Sequence, residues 1–388
     1  WNSLREIQIS PLRSSSSAGK AKLNIQNTIP KKLSEIKFEK KQRLLTGFTE
    51  FDGVLGGGIV KGSVILLAGD PGIGKSTLLL QVALNMARIN KSSVLYISGE
   101  ESEEQIKLRA LRLVSGQADN LFVLSITNVD SALMSIEKLK PALVVVDSIQ
   151  TMESENVTGL SGSVGQIRYS AFQFIKIAKT QGIPIILVGH VTKEGMVAGP
   201  MVLSHMVDTV LFLEGEKFTK TRILRSLKNR FGPVDEVGIF AMEENGIGEL
   251  NVAEQLFLTK NVDKKISGSI IAVTMEGTRA FLVEIQALVL PSKLPIPRRV
   301  ASGIDYKRLE LLLAVIQKHC GIPLSGMDIF VNITEGIRLS DPGADLSICL
   351  AIISSYKNIS LFQKVAIGEV GLLGELRKVA GLEKRIKE

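Results

Sequence analysis

Gly69-Asp70-Pro71-Gly72-Ile73-Gly74-Lys75-Ser76 fits the pattern G-x-x-x-x-G-K-[ST] at every position, and its reading decides the fold. The apolar run 64–68 before it reads as a buried strand. The stretch from Thr77 onward reads as a helix. A strand, a glycine-rich turn and a helix N-terminus in that order form an anion cradle: backbone N–H groups turn inward and the helix end adds partial positive charge. Lys75 would then reach β- and γ-phosphates, and the Ser76 hydroxyl would ligate Mg²⁺. The segment Gly69–Thr77 therefore predicts a nucleoside triphosphate site with Mg²⁺ as its metal.

The chain has 388 residues, 45% of them hydrophobic and 22% charged, which fits well-packed cores and excludes a disordered protein. Its net charge of +8 is unevenly placed. Residues 1–43 hold ten Lys/Arg against three Glu, so they carry nearly all of it. Such an arm can touch nucleic acid, and a solvated linker is an equally good reading. Two cysteines, Cys320 and Cys349, exclude a disulfide framework or a four-thiolate zinc site within this chain. No apolar run approaches a membrane span and the N-terminus lacks a signal pattern. The expectation is a cytoplasmic protein with no membrane partner.

From about Leu44 to about Glu249 apolar strands alternate with amphipathic helices, the pattern of a mostly parallel α/β sheet. Strands are expected at 64–68, 94–98, 121–124, 143–147, 185–189 and 209–213. Antiparallel edge strands are expected at 221–228 and 237–242. Beyond residue 251 a smaller α+β domain is expected, with a hairpin around 276–278, helices at 308–317 and 345–355, a strand at 328–333 and a second hairpin over 365–376. The predicted organisation is an arm at 1–43, an ATPase domain at 44–250 and a second domain at 251–388.

Asp147 ends the apolar run 143–147, expected beside the phosphate loop, where a carboxylate holds the Mg²⁺ water shell. An Asp capping the following turn is the other reading. Glu100, with Glu101 in reserve, ends the strand expected next to the loop and could act as general base; acids favouring a helix N-terminus are the alternative. Lys228 and Arg230 alternate on a strand beside a glycine turn, so they point to one side. They could reach a neighbouring subunit's γ-phosphate. On spacing alone, a solvated charge pair is as good a reading.

Leu45-Thr46-Gly47-Phe48, Gly56-Gly57-Gly58, the loop at 69–76, Ser98-Gly99-Glu100-Glu101-Ser102, Val146-Asp147-Ser148, Gly189-His190 and Lys228-Asn229-Arg230-Phe231-Gly232 together resemble the RadA (Sms) family of bacterial DNA repair ATPases. The resemblance covers nearly the whole chain. It implies a RecA-like ATPase core with ATP as its triphosphate, a homo-hexameric ring like that of a replicative helicase, and a motor on single-stranded and branched DNA that extends branch migration. It implies that Lys228 and Arg230 act in trans, and it adds RecA recombinase as a further partner. In this family the loop after His190, including Lys193, faces the ring channel, with His190 in a nucleotide-sensing position. Arg168 is a further channel candidate, as are Lys176 and Lys179, for which a surface-helix reading is equally good.

Two departures from the family stand out. Its four-cysteine zinc finger is missing ahead of Trp1, so zinc is expected only if a longer chain carries that finger. The second domain resembles the Lon protease domain and stops short of that domain's usual end. Gly343 falls where Lon has its serine and Glu383 where it has its lysine, so no Ser–Lys dyad is expected. Two other functions compete with the motor: a nucleotide-switched recombination mediator without motor activity, and an ATP-dependent peptidase.

Overall fold

Central strands that are apolar throughout need cover on both faces, which a parallel sheet flanked by helices supplies. The computed structural model describes residues 32, 43–89, 92–113, 119–190, 202–215, 220–249, 266–334, 339–361 and 363–387. Most of the basic arm, and the loop 191–200 with Lys193, lie outside the described residues.

A short helix α1 (Thr49–Val54) precedes β1 (Val64–Gly69), and the phosphate loop then leads into α2 (Lys75–Ile89). Next come β2 (Val94–Ser98), α3 (Glu103–Leu113), β3 (Leu121–Ser125), α4 (Val129–Leu139), β4 (Leu143–Asp147), α5 (Val164–Gln181) and β5 (Ile185–His190). Four more strands follow, β6 (Thr209–Glu214), β7 (Thr221–Asn229), β8 (Val237–Glu243) and β9 (Gly246–Glu249). Together they form a nine-stranded sheet in the order β3-β2-β4-β5-β1-β6-β7-β8-β9. β1 through β6 are parallel and β7 to β9 antiparallel, as the alternation at 221–228 and 237–242 predicts. Strands β1, β2 and β4 are buried along their whole length. Two apolar clusters, one on each face, sandwich them.

The helix ends follow local chemistry. Ser163 caps α5 by accepting from the Gln166 N–H, and Gly182 closes it in the left-handed conformation. Asn128 caps α4 in the same way through the Ser131 N–H.

One expectation about order is corrected. Neither the Asp147 strand nor the Glu100 strand adjoins β1: β5 lies between β1 and β4, and β2 lies beyond β4. Alternation of strands along a sequence gives no order across the sheet, because any right-handed crossover can skip a neighbour.

A second sheet contains β10 (Ser269–Glu276), β11 (Arg279–Pro291), β12 (Arg299–Ser302), β13 (Met327–Ile333) and β14 (Val365–Ala366), ordered β12-β13-β11-β10-β14. Helices α6 (Tyr306–Cys320) and α7 (Asp345–Lys357) share its core. The hairpin around 276–278 forms as predicted. The hairpin over 365–376 does not: β14 joins β10 in parallel, and only β15 (Glu369–Val370) and β16 (Leu376–Arg377) pair with each other. The dipeptide Val365-Ala366 completes a sheet edge, a tertiary role that a period-two pattern cannot reveal. The chain ends its described part in α8 (Leu382–Lys387).

Arg43–Glu388 form one unit, and the second sheet is joined to the first through the β10–β11 turn. Arg225 of β7 pairs with Glu214 and, at 2.6 Å, with Glu276. Arg279 reaches Glu50 of α1 at 2.6 Å, and Thr278 donates to Glu236 at 2.8 Å. Val237 and Ile239 of β8 complete the apolar core of the second sheet.

Candidate active site

The phosphate loop is packed too closely for side chains at two of its glycines. A Cβ on Gly69 would lie 2.4 Å from the Leu213 carbonyl oxygen, and one on Gly74 would lie 2.7 Å from the Met242 methyl group; both have positive φ. Asp70, Pro71 and Gly72 are exposed at the turn, Ile73 is buried beneath it, and Ser76 and Thr77 are half-buried at the helix start. Lys75 is 3% exposed, and its Nζ donates to the carbonyls of Gly69 and Asp70 at 2.8 and 2.9 Å. Burial lowers the ammonium to about 8, against the opposing pull of Asp147, Asp70 and Glu100. A glycine cradle, a buried lysine at its mouth and a hydroxyl at the helix N-terminus fit a triphosphate with its metal ion.

The carboxylates lie at the C-terminal tips of neighbouring strands, where open α/β sheets bind ligands. Asp147 at the end of β4 is 6% exposed and accepts from the Tyr96 hydroxyl at 2.5 Å. The Asp147–Ser148 peptide is cis. Glu100 follows β2, and its Oε1 accepts from Ser148 Oγ at 2.7 Å and lies 3.5 Å from His190 Nε2. His190 ends β5 in register with Gly69, so it stands beside the phosphate loop. Gln150 donates to the His190 carbonyl at 3.3 Å. Glu101, the reserve base, is engaged elsewhere, with Arg109 Nη2 2.8 Å from its Oε2. Geometry thus separates the two adjacent glutamates in the order expected, Glu100 toward Ser148 and His190 and Glu101 toward Arg109.

Lys228 and Arg230 are at the other end of the sheet. Lys228 pairs with Val210 and Val210 with Leu66, three residues before Gly69. That offset is about 10 Å along the strand, and two strand spacings of roughly 4.8 Å add to it. Lys228 Nζ donates to the carbonyls of Ser204 and Val207 at 2.7 and 2.8 Å. Burial lowers this ammonium, repulsion from Arg230 adds to the effect, and Asp208 offsets part of it. Arg230 is 3.5 Å from Asp208, with its side chain 56% exposed. Both cations therefore face residues 204–208, and neither approaches its own phosphate loop. Asn229 and Arg43 bind the Leu55 carbonyl, and Arg43 also binds the Phe231 carbonyl, so the turn after β7 is docked on the 55–58 glycine turn.

Of the channel candidates, Arg168 and Lys176 are exposed on α5. Lys179 pairs with the buried carboxylate of Asp208. In the second sheet Gly343 is buried, and a Cβ there would meet the Arg385 guanidinium at 2.7 Å. Glu383 is exposed on α8. Arg385 instead pairs with Asp341 at 2.5 Å, so the region holds an ion pair and neither member of a Ser–Lys dyad.

Two further residues support the site. Tyr96 holds Asp147, and Arg222 of β7, 6% exposed, donates from Nε to the Ile73 carbonyl of the phosphate loop at 3.0 Å. Nothing in the local pattern around either residue signals a partner some 50 to 150 positions away.

An AAA domain family matches residues 30–196. The DNA repair protein RadA of Bacillus subtilis (strain 168) is 46% identical over 391 residues, covering 100% of this chain and 84% of that protein. That of Streptococcus pyogenes serotype M1 is 45% identical over 391 residues with the same coverage, and that of Streptococcus pneumoniae (strain ATCC BAA-255 / R6) is 44% identical over 387 residues, covering 99% and 90%. Among solved structures, the RadB recombinase aligns with a TM-score of 0.42 at 24% identity, over 54% of this chain and 100% of that one. Identity at this level along the whole chain, together with the phosphate loop and the carboxylates at the strand tips, shows that the chain belongs to the RadA family of RecA-like DNA repair ATPases.

Proposed function

We propose that this chain is a Mg²⁺/ATP-driven motor on single-stranded DNA that works as a homo-hexameric ring and promotes branch migration of recombination intermediates. The observation that carries the reading is the placement of Lys228 and Arg230 at the far end of the sheet from their own Lys75. Cations that cannot serve in cis are available to a neighbour's nucleotide, as an arginine finger is.

In this reading Gly69–Thr77 bind the triphosphate, and Lys75 leaves the Gly69 and Asp70 carbonyls for phosphate oxygens. Ser76 and Asp147 hold Mg²⁺, which when bound neutralises charge on the β- and γ-phosphates. Glu100 orients and deprotonates the attacking water, with Ser148 fixing its rotamer. His190, between Gly69 and Glu100, detects the state of the site. Arg168 and Lys193 contact the DNA backbone. Residues 44–250 form the ATPase part and 251–388 a Lon-protease-like part without peptidase chemistry; the two separate sheets support the division, with Val237 and Ile239 of the first sheet shared into the core of the second.

Mixing tests the trans arrangement. Lys75→Ala and Arg230→Ala proteins, each inactive alone, should regain part of the ATPase rate when combined; no recovery at any ratio overturns it. A labelled three-strand branch-migration assay then separates motor from mediator. Migration that stops in the Lys75→Ala protein supports the motor. Migration unaffected by loss of hydrolysis supports a nucleotide-switched mediator.

A further inference from the structure

Asp147 does not stand alone at the end of β4. Its Oδ2 accepts from the Tyr96 hydroxyl at 2.5 Å, and among the described residues its carboxylate makes no other hydrogen bond. Tyr96 lies in β2, the strand paired with β4, and is fully buried. Its hydroxyl has one proton, and the acceptor side of the same oxygen receives Arg109 Nη2 at 3.4 Å. Arg109 is fixed in turn by both oxygens of Glu101, at 3.2 and 2.8 Å. A donor approaching from Arg109 leaves the tyrosine proton no direction but toward Asp147. The row Glu101–Arg109–Tyr96–Asp147 thus runs from the half-exposed start of α3 to the metal carboxylate.

We propose that Tyr96 is a positioning residue for Mg²⁺: its hydroxyl locks the Asp147 rotamer and occupies Oδ2, so that the carboxylate is held ready for the metal it would bind. The proposal rests on the reading of Asp147 as the Mg²⁺ carboxylate. Partners that orient metal-binding groups in this way commonly change metal affinity on the order of tenfold or more when removed. Tyr96 is suited to the task because its ring is packed in the core while only its oxygen is polar, so the Tyr96→Phe change deletes one atom and leaves the packing intact.

The test measures binding of a fluorescent N-methylanthraniloyl-ADP probe to the full chain while MgCl₂ is titrated, and again in EDTA. Tyr96→Phe should raise the Mg²⁺ midpoint about tenfold, with metal-free nucleotide affinity unchanged. Arg109→Met should shift the Mg²⁺ midpoint less, in the same direction, which provides a second route should Tyr96→Phe fold poorly. Asp147→Asn is the control. If it shifts the Mg²⁺ midpoint and Tyr96→Phe does not, the positioning role is overturned while the Asp147 assignment stands. If neither shifts it, Asp147 is not the metal carboxylate and both fall. Equal losses with and without Mg²⁺, accompanied by a lower thermal midpoint, would make Tyr96 purely structural and also overturn the proposal.

Discussion

Around the tips of β1, β2 and β4, acidic and basic groups keep most of their bonding capacity unused, whereas beneath the second sheet the same residue types are bound into one another. Lys75, Asp147 and Glu100 each make one or two hydrogen bonds, and both carboxylates lie near enough to act on the Lys75 charge. Asp341 accepts from Arg385, Met275 N–H and Gly343 N–H, and Arg385 also donates to the Val273 and Ala380 carbonyls. Burial by itself would raise the Asp341 carboxyl; the Arg385 and backbone donors outweigh it and hold the group below the usual carboxylate range. Charge that is completely paired stabilises a fold and leaves nothing for a substrate. Charge held in place with coordination to spare is what chemistry requires.

The sharpest way to break this contrast is at Glu100. Glu100→Gln should lower ATP turnover by roughly 10²- to 10⁴-fold with little change in denaturant midpoint. Glu101→Gln, which loses only its Arg109 partner, should retain most of the rate. Equal effects in a steady-state assay would erase the distinction between the two acids.

In the second sheet the expected loss is stability. Arg385→Met leaves Asp341 buried without its cation and should cost about 3–5 kcal/mol in urea unfolding. The pH dependence has a defined sign. Because folding depresses the Asp341 pKa, its contribution is complete above the ordinary carboxylate range and disappears as pH falls through the folded value. The acid transition should therefore move to higher pH in Arg385→Met, and an unchanged transition would count against the pairing.

A smaller effect tests whether the surroundings of Gly343 can hold a Ser–Lys dyad. Gly343→Ser would set a side chain against the Arg385 guanidinium, costing about 1–3 kcal/mol. Gly343→Ser with Glu383→Lys should show no casein cleavage under ATP.

The mildest test is the alkaline limb of kcat/KM for ATP, which reports groups of the free enzyme. Lys75 is lowered to about 8 by burial, so its charge is complete well below that value and lost as pH rises through it. The rate constant should fall above about pH 8 and approach a tenfold loss per unit.

Much of the first sheet was legible because its strands are short apolar runs closed by special residues: Gly69 after one, Asp147 at the end of another, His190 at the end of a third. The phosphate loop was legible in full, since its chemistry needs contiguous residues. Strand order was not, because the apolar runs of β4 and β5 do not encode which one adjoins β1. β12 was missed behind Pro291, Pro295 and Pro297, which read as loop until β13 pairs with the residues that follow them. Tyr96 and Arg222 were invisible for the same reason: each acts on a group that the fold alone brings near.

Near its start β7 has Arg222 fastened to the Ile73 carbonyl, and near its end it carries Lys228, with Arg230 just beyond the strand. Six residue steps of extended backbone lead from Arg222 to Lys228, about 20 Å, with β6 paired along one side and β8 over the first half. Against β6 the register shifts between Ser226 and Lys228, which leaves Leu227 as an extra residue near the far end. One strand thus ties the loop where a triphosphate would sit to the rim that carries Lys228 and Arg230, and the irregularity beside Leu227 is where a lengthwise displacement of either end would be taken up first.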